Sequence, residues 1–397
     1  MKILLINSVL GIGSTGRIVE SLYKHFKSEG HDVKVVYGRN KSDHIPASDQ
    51  YCMYNKLGVA MHAGLSRVFD NTGEYSKHST KKLLKFIDQF QPDVVNLHNL
   101  HGYYINVPML LKYLGEHNIK CVFTLHDCWL FTGHCSYFYY NHCDGYMYGC
   151  TKCSHKKAYP RSIMCSRSKK NLQIKKQLLD GIKNKSFIVP SKWLKNFAEK
   201  SILAGEQIDV VYNAIDYNIF NENAVNYFDK SKLPADKYIL CVANYWNEQK
   251  GLNKVIELSK VLDNDYKIVM VGYLKDKSVL NDNIIYIPHT DSAKELAFYY
   301  ANAKVFYNPT LEDVFGMVTL ESLACCTPVV LFRECSGGEE VVVDNGNGIL
   351  LNKLDCPIAI ANRVVNINKI GIETRDKILF CQNDIFCINY EKKLVEK

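Results

Sequence analysis

The chain has 397 residues, of which 47% are hydrophobic and 23% are charged. This length predicts two or three domains, each large enough to bury a core. No stretch approaches the roughly 18 apolar residues of a membrane-spanning helix, and the start MKILLINSV lacks a signal-peptide cleavage pattern. These features predict a cytoplasmic protein without a membrane-spanning helix. Its fifteen cysteines are then expected to be thiols or metal ligands rather than disulfides.

The net charge of +8 is unevenly distributed along the chain. Residues 1–210 carry +13 and residues 211–397 carry −5, and segment 151–200 holds 14 basic residues against two acidic ones. Such asymmetry is typical of a surface that meets an anionic partner. A nucleic acid, an anionic membrane surface and a lipid pyrophosphate all fit this charge, as does a solvated lysine-rich face without a partner.

The first forty residues have the pattern of a βαβ unit. Ile3–Ile6 is an apolar run of strand length, a glycine-rich turn follows at Gly11–Gly16, and Arg17–Ser28 has helical periodicity. Gly30 ends this helix and Val33–Val36 is the next strand. The alternation then continues with helices at 81–90, 108–117, 171–183 and 192–200 and strands at 94–97, 121–125, 186–189 and 209–212.

The alternation stops over residues 215–236, which we interpret as a linker, and then restarts. The second half has predicted strands at 238–242, 267–271, 284–287, 304–307 and 328–331. The sequence therefore predicts an α/β protein with two parallel sheets. We expect an N-terminal domain of residues 1–214, with a Cys-rich insertion at 128–170, and a C-terminal domain of residues 237–375. Ligands bind at the carboxyl ends of such strands, so a cleft shared by the two sheets is expected.

The glycine-rich turn has the spacing G-x-G-x-x-G at Gly11, Gly13 and Gly16, and Arg17 adds a cation. Backbone N–H groups at a helix start can hold a phosphate. The second strand ends in Tyr37-Gly38-Arg39 without an acidic residue, which argues against an NAD enzyme. Gly13 and Arg17 are therefore candidates for a phosphate or substrate contact, and a purely structural turn is the alternative.

A second motif occupies residues 309–324 and has the sequence PTLEDVFGMVTLESLA, with TPVV at 327–330. Glu312 and Asp313 precede Phe315-Gly316, and Glu321 follows Asp313 by eight residues within an apolar helix. Gly316 allows the backbone to approach a ligand closely, and the helix start offers N–H groups to a diphosphate. Carboxylates at this spacing suit the hydroxyls of a sugar or a ribose.

This motif resembles the signature of the retaining glycosyltransferases of family 4. The resemblance implies the GT-B fold, in which two Rossmann-like doubly wound parallel-sheet domains face each other across a cleft. The family has Glu where Asp313 stands, so either Glu312 or Asp313 can be the acting acid, and it has Gly where Cys326 stands. The resemblance covers nearly the whole chain, with further matches in VPSKWL (189–194), YNAID (212–216), NEQKG (247–251), GGEE (337–340) and NGNGI (345–349). It also implies that the helical segment 376–397 crosses back to the N-terminal domain.

The resemblance assigns roles to residues of the second half. Lys250 would bind the donor diphosphate, and Asn244 stands where the family has an arginine, so that Arg17 is a candidate to compensate. The implied catalytic residues are His126, Lys250 and either Asp313 or Glu312. The predicted donor-binding residues are Asn244, Lys250, Phe315, Gly316, Met317, Val318 and Glu321, together with Gly13 and Arg17 of the glycine-rich turn.

The acceptor side is predicted at the carboxyl ends of two strands of the first half. His126-Asp127 follows strand 121–125, and the segment HNLHGYY at 98–104 follows strand 94–97. By resemblance His126 points toward the transferred sugar, whereas a structural histidine is the alternative. The predicted acceptor residues are His98, His101, Tyr103 and Asp127. These segments resemble a subgroup that assembles capsule, O-antigen and colanic-acid type polysaccharides.

The insertion carries Cys135, Cys143, Cys150 and Cys153, and the last two form a Cys-x-x-Cys zinc half-site. Four thiolates predict a structural zinc ion, with free thiols or a redox-sensitive pair as the alternative. Other possible ligands are Cys128, His134, His142, His155 and Cys165. No cofactor is expected for catalysis, because GT-B enzymes act on the diphosphate with protein cations and helix dipoles.

The sequence thus predicts a retaining, hexosyltransferase-type glycosyltransferase. It would move a sugar from a nucleoside-diphosphate sugar to a saccharide or lipid-linked saccharide in surface polysaccharide biosynthesis. The basic region 152–200 would dock it peripherally on the anionic inner membrane face, and no nucleic acid is expected. The alternatives are a GT-B nucleotide-sugar epimerase, against which the acidic motif argues, and a non-catalytic protein that binds nucleic acid or a sugar nucleotide.

Overall fold

The computed structural model describes residues 1–151, 153, 155–263 and 265–395. The chain divides into two compact units, the first comprising Met1–Val211 and the end of the chain from Phe386, and the second comprising Tyr212–Ile385. The segment predicted as a linker, 215–236, lies within the second unit, because Ile215, Phe220 and Ala224 are buried in its core. Residues 376–385 of the predicted last segment also belong to the second unit.

The first unit contains a seven-stranded sheet in the order β3-β2-β1-β4-β5-β6-β7, and every pair is parallel. Its central strands are buried along most of their length, as expected for a parallel sheet covered on both faces. The strands are β1 Lys2–Val9, β2 Asp32–Arg39, β3 Gln50–Cys52, β4 Val94–Leu97, β5 Lys120–Thr124, β6 Lys185–Val189 and β7 Ile208–Val210.

The helices of the first unit are α1 Gly13–Ser28, α2 Lys56–Phe69, α3 Lys77–Phe90, α4 Val107–Glu116, α5 Ser168–Asp180 and α6 Lys192–Ala198. All except α2 coincide with predicted helices. Helix α2 was not predicted because its pattern is inverted: it buries the polar residues His62 and Ser66 and exposes Leu57 and Met61. The short strand β3 was also missed.

The second unit contains a six-stranded parallel sheet in the order β10-β9-β8-β11-β12-β13. The strands are β8 Tyr238–Tyr245, β9 Lys267–Tyr273, β10 Ile284–Ile287, β11 Val305–Asn308, β12 Val329–Phe332 and β13 Gly348–Leu351. Strand β13 was not predicted, and it pairs with β12 from Val329↔Gly348 onward. The helices are α7 Leu252–Ser259, α8 Ala293–Asn302, α9 Met317–Ala324, α10 Pro357–Asn366 and α11 Ile372–Arg375.

Both faces of the second sheet are covered. Tyr238 and Leu240 pack in one hydrophobic cluster, whereas Ile239 and Cys241 pack in another. Because successive strand residues point to opposite faces, the two clusters lie on opposite sides of β8. The division into units passes through the last helix, α12 Asn383–Val395. Across the described residues, no helix has both the length and the apolar character needed to span a membrane.

The strand order reverses between β1 and β4 in the first unit and between β8 and β11 in the second. At such a reversal the flanking loops diverge and leave a crevice at the carboxyl ends of the strands. The loops that follow β1, β4, β8 and β11 are therefore the places where each unit can bind a ligand.

Candidate functional site

In the second unit, the loops that follow β8 and β11 bring Lys250 and Asp313 together. Nζ of Lys250 donates a hydrogen bond to Oδ2 of Asp313 at 2.7 Å, and both side chains are partly open to solvent. The backbone of Asp313 is held on both sides, since its N–H donates to the carbonyl of Cys335 and its carbonyl accepts from Gly337. The pair is thus a fixed cation and carboxylate at the crevice of this sheet.

Glu312 does not share this position. Glu312 is fully buried, and its backbone carbonyl accepts hydrogen bonds from Nε2 of Gln249 and Oγ1 of Thr310. The sequence left Glu312 and Asp313 as alternatives for the acting acid. Burial favours Asp313 as the acting acid, and the choice between the two carboxylates stays a prediction.

Two helices that start at glycine flank the pair. Gly251 precedes α7 and Gly316 precedes α9, both have positive φ, and neither offers a side chain to cap the first-turn N–H groups. A Cβ on Gly251 would lie 2.1 Å from the carbonyl oxygen of Pro309, so only glycine allows the two loops to pack this closely. Uncapped helix starts beside a lysine form a ready site for a phosphate group.

Helix α9 carries the other predicted donor residues. Met317 and Val318 in its first turn are half-buried, and the half-buried Glu321 one turn later accepts a hydrogen bond from the Tyr300 hydroxyl at 3.2 Å. Burial raises the pKa of Tyr300 well above its usual value, and Glu321 raises it further, so this hydroxyl remains a donor. The side chain of Phe315 is buried in the core, and a role of this residue in donor binding stays a prediction.

Asn244 lies exposed near the end of β8, so an amide occupies the position where the family has a cation. Gly13 and Arg17 are exposed at the start of α1 in the first unit, and the residue before this helix, Ile12, provides no side-chain cap. The geometry of the first unit leaves these N–H groups available, and a role of Gly13 and Arg17 in donor binding stays a prediction.

In the first unit, His98 and His126 follow β4 and β5 and contact each other. Nδ1 of His98 lies 2.9 Å from Nε2 of His126. Both histidines line a small pocket of about 20 Å³ at the carboxyl ends of these strands. His98 is buried and His126 is half-buried, so His126 is the more available to a ligand.

Buried polar groups beneath the two histidines define the positions of their protons. Asn96 must point its Nδ2 toward the Val122 carbonyl, 2.9 Å away, because a carbonyl only accepts. Its Oδ1 therefore accepts from Nε2 of His98 at 2.7 Å and from the hydroxyl of Tyr390 at 3.1 Å. Since His98 carries its proton on Nε2, its Nδ1 accepts, and Nε2 of His126 must be the donor.

The other ring nitrogen of His126, Nδ1, takes no part in the contact with His98. Burial lowers the pKa of His126 to about 4, so the ring is neutral at pH 7 and Nδ1 is a hydrogen-bond acceptor. No residue in the described part of the chain hydrogen-bonds to this atom. It can accept a proton or a hydrogen bond from a hydroxyl placed in the pocket.

Asp127 and His101 form a second pair in this pocket. Nε2 of His101 lies 2.6 Å from Oδ2 of Asp127, whose other oxygen accepts from the N–H of Trp129. Burial alone would raise the pKa of Asp127, but His101 and these hydrogen bonds outweigh it and leave the pKa below its usual value. Tyr103, also predicted to meet the acceptor, is buried against His62 and does not line the pocket.

Lys175 of α5 supports the loop that carries these groups. Its Nζ donates to the carbonyls of Trp129 and Thr132 and lies 3.6 Å from the centroid of the Trp129 ring. Burial lowers the pKa of Lys175 to about 7. Lys175 was not among the predicted residues, although its place between Leu172 and Leu179 on one helix face indicated a buried lysine.

The Cys-rich insertion brings two of the predicted zinc ligands close together. A Cβ on Gly145 would lie 3.5 Å from the sulfur of Cys143 and 3.8 Å from that of Cys150. The sulfur of Cys150 accepts a hydrogen bond from the Gly133 N–H at 3.2 Å. Within the described ranges, no three Cys, His, Asp or Glu side chains are arranged to hold a metal ion. Structural zinc stays a prediction without support from this geometry, and the zinc content of the purified protein tests it for Cys135, Cys143, Cys150 and Cys153.

Comparison with protein families identifies the chain. The family model described as Glycosyltransferase Family 4 matches residues 15–218, more than half of the chain. The chain belongs to glycosyltransferase family 4. The model described as Glycosyl transferases group 1 matches residues 224–378, which contain Lys250, Asp313 and Glu321.

Three curated relatives of this family 4 chain are similar over part of its length. An uncharacterized glycosyltransferase of Methanocaldococcus jannaschii is 28% identical over 42% of the chain and 45% of its own length. The O-antigen chain mannosyltransferase RfbU of Salmonella typhimurium is 25% identical over 32% of the chain and 35% of its own length. The capsular polysaccharide biosynthesis glycosyltransferase CapM of Staphylococcus aureus is 25% identical over 34% and 37%. The chain thus spans less than half the length of these relatives.

Solved structures resemble the chain over nearly its whole length. Sucrose-phosphate synthase from Thermosynechococcus elongatus matches with a TM-score of 0.67 and 15% identity, covering 99% of this chain and 98% of that one. HepE of Anabaena in complex with UDP and glucose matches with a TM-score of 0.62 and 14% identity, covering 99% and 95%. With its two Rossmann-like parallel-sheet units, this family 4 member has the GT-B fold.

Proposed function

We propose that this family 4 chain is a retaining glycosyltransferase that uses a nucleoside-diphosphate sugar. The observation that carries the proposal is the Lys250–Asp313 pair between two uncapped helix starts at the crevice of the second sheet. A diphosphate needs a cation and N–H donors, and a sugar needs a carboxylate for its hydroxyls. The loops after β8 and β11 offer all three within one unit.

The chemistry follows from where charge grows during the reaction. As the bond between sugar and diphosphate breaks, negative charge accumulates on the departing phosphate. Lys250 and the first N–H groups of α9 stabilise that charge, which is the largest contribution such a site can make. Asp313 holds a hydroxyl of the transferred sugar, and Glu321, one turn into α9, holds the ribose. The similarity to HepE, whose structure was solved in complex with UDP and glucose, supports a donor of this class.

The first unit presents the acceptor. Nδ1 of His126 accepts a hydrogen bond from a sugar hydroxyl at the pocket, while His98 fixes the ring from behind. Asp127 is engaged by His101 and the Trp129 N–H, so it is poorly placed to act as a nucleophile. We therefore favour front-side attack with retention of configuration over a covalent glycosyl-enzyme.

The acceptor we propose is a saccharide, carried on a lipid, in the assembly of a surface polysaccharide. The names of the relatives RfbU and CapM, an O-antigen mannosyltransferase and a capsular polysaccharide enzyme, support this class of acceptor. The excess of basic residues in segment 151–200 supports binding of the protein to an anionic membrane surface. We propose a peripheral enzyme at the inner face of the membrane that transfers a hexose.

The test is a panel of UDP-, GDP-, ADP- and dTDP-sugars, followed by thermal shift and by slow hydrolysis in the absence of an acceptor. One donor should stabilise the fold and be hydrolysed with its anomeric configuration retained, and Asp313→Asn should lower the rate of hydrolysis by about 10²-fold or more. Conversion of the donor to an epimer without release of the nucleotide would indicate a nucleotide-sugar epimerase instead. No response to any nucleotide sugar, together with salt-dependent RNA binding, would overturn the transferase proposal.

A further inference from the structure

Helix α2 has its apolar and polar faces reversed relative to a helix that packs on a core. Leu57, Met61 and Phe69 are 78%, 57% and 46% exposed, whereas His62 and Ser66 are buried. The buried histidine is well accommodated, since its Nδ1 lies 2.8 Å from the Ser76 hydroxyl and its Nε2 accepts from the N–H of Gly73. The helix is therefore anchored through its polar face, and its apolar face is left outward.

The outward residues form one ridge. Leu57, Met61, Leu65 and Phe69 follow each other at intervals of four, so they lie in a row along the helix surface. Proteins that remain in water commonly expose single apolar side chains, but a contiguous row of them marks a contact surface.

A second exposed segment extends this ridge at the end of α2. The N–H of Ile163 donates to the carbonyl of Arg67 at 2.6 Å, and the N–H of Cys165 donates to that of Val68. These bonds hold Ile163 and Met164, which are 54% and 68% exposed, beside the end of the helix. Together the exposed residues Leu57, Met61, Phe69, Ile163 and Met164 are called the α2 surface.

The two segments that form the α2 surface carry basic side chains and no acidic ones. There is no Asp or Glu in residues 50–69 or in residues 145–179. Lys56, Arg67 and Arg161 are exposed, and Nζ of Lys156 donates to the carbonyl of Met164 at 3.1 Å, which places a cation at the edge of the ridge. The nearby Asp70 is buried and bonded to His134, and the partly exposed Glu74 is paired with Arg167, which is not counted among these cations.

We propose that the α2 surface docks on an anionic lipid bilayer, with its apolar side chains at the boundary between headgroups and acyl chains. An apolar ridge rimmed by basic residues is the composition of helices that lie in the plane of a membrane interface. The cations then meet lipid phosphates, each strengthening the attraction to anionic lipid. For its relevance to the acceptor the inference rests on the proposed function, but vesicle binding requires neither donor nor acceptor.

Other occupants fit the same surface less well. A nucleic acid would satisfy the cations but leave Leu57, Met61 and Phe69 in water. A second copy of the chain, joined by a two-fold axis, would place the basic rim of one copy against the same rim of the other. A bilayer that contains anionic lipid would bury the apolar ridge and also pair its phosphates with the basic residues at the rim.

The test is sedimentation of the full chain with vesicles of phosphatidylcholine alone and with vesicles that contain phosphatidylglycerol. Wild-type protein should sediment with the anionic vesicles only. The variant Leu57→Glu/Met61→Glu should lower the partition coefficient roughly tenfold or more, because it places two charges in the ridge. Leu354→Glu/Ile358→Glu is the matched control with the same change in net charge, since Leu354 and Ile358 are 96% and 61% exposed in the second unit, and it should bind like the wild type.

The rim is tested by Arg67→Glu/Lys156→Glu, which should weaken binding by about tenfold or more. The exposed lysines of the second unit, changed in Lys260→Glu/Lys275→Glu, serve as its control and keep the same net charge change. Wild-type protein that stays in the supernatant, or ridge variants that sediment unchanged, would overturn the inference. So would a stable dimer that Leu57→Glu/Met61→Glu dissociates, because the ridge would then be a protein interface. The two proposals can fail separately. A protein that does not bind vesicles could still hydrolyse a sugar nucleotide, and a protein that hydrolyses none could still bind vesicles.

Discussion

Nζ of Lys250 lies 2.7 Å from Oδ2 of Asp313, and the two residues come from loops that follow different strands of one parallel sheet. In the absence of a ligand this ion pair neutralises both groups. A nucleoside-diphosphate sugar would compete for it, because its phosphate takes the lysine and its sugar hydroxyls take the carboxylate. Under the proposed function, the pair would therefore link recognition of the two halves of the donor.

Substitutions of the adjacent residues Asp313 and Glu312 should have different effects, one on turnover and the other on stability. Asp313→Asn should lower turnover by about 10²-fold or more, since it removes a group that contacts the sugar, and should leave the melting temperature within a few degrees. Glu312→Gln should instead lower the melting temperature, because the residue is fully buried. Steady-state kinetics and calorimetric melting on both variants separate the two roles, and equal kinetic losses would contradict our assignment of the acid.

Lys175→Met should loosen the loop that carries Asp127. The variant keeps the aliphatic stem but loses the bonds to the carbonyls of Trp129 and Thr132, at a cost of about 1–3 kcal/mol in the free energy of unfolding. We expect a higher KM for the acceptor and an unchanged KM for the donor. Lys176→Met is the matched control, because Lys176 is exposed and pairs with the exposed Asp180 on the same helix. Equal effects of the two variants would argue against the support role of Lys175.

The proton positions at His98 and His126 can be measured directly. We expect ¹⁵N chemical shifts at pH 7 to show both rings neutral, each with its proton on Nε2. His98→Ala removes the acceptor for Nε2 of His126 and should produce a mixture of tautomers there. A dominant Nδ1–H tautomer of His126 in the wild-type protein would contradict the hydrogen-bond assignment that begins at Asn96.

His62 makes stability depend on pH. Burial lowers the pKa of His62 to about 4, against an ordinary value near 6.5 in the unfolded chain. Between these two values the unfolded chain binds the extra proton, so the free energy of unfolding falls as the pH drops from 6.5 toward 4. The loss from this residue is up to about 3 kcal/mol. Urea titrations at pH 7 and pH 5 measure the effect, and His62→Gln should flatten the dependence. An equal slope in this variant would assign the loss to other groups.

The parallel sheets were predictable because their strands are continuous apolar runs separated by helical periodicity. The exceptions have specific causes. Helix α2 escaped prediction because it buries His62 and exposes Leu57, so its periodicity points away from the core. Segment 215–236 resembled a linker because it forms only short turns, yet Phe220 and Ala224 anchor it in the second core.

The sequence predicted the motifs that form the site, but not the burial and contacts of the individual side chains. Sequence alone placed Lys250, His126 and the acidic segment at the ends of strands. The burial of Glu312, Phe315 and Tyr103, which favours Asp313 as the acting acid, depends on tertiary packing. Asn96 is a buried polar residue in the otherwise apolar strand β4, a pattern that indicates a buried hydrogen-bonded group. Its link to Tyr390 joins residues 294 positions apart, a contact that no local pattern indicates.

The most direct test of the donor site is calorimetric titration of the protein with UDP, GDP, ADP and dTDP. We predict that one of these diphosphates binds, that Lys250→Ala weakens it by about tenfold or more through loss of a charge-assisted phosphate contact, and that Lys254→Ala on the adjacent helix does not. Absence of binding by all four, or equal binding to the wild type and to Lys250→Ala, would contradict the assignment of the second unit as the donor site.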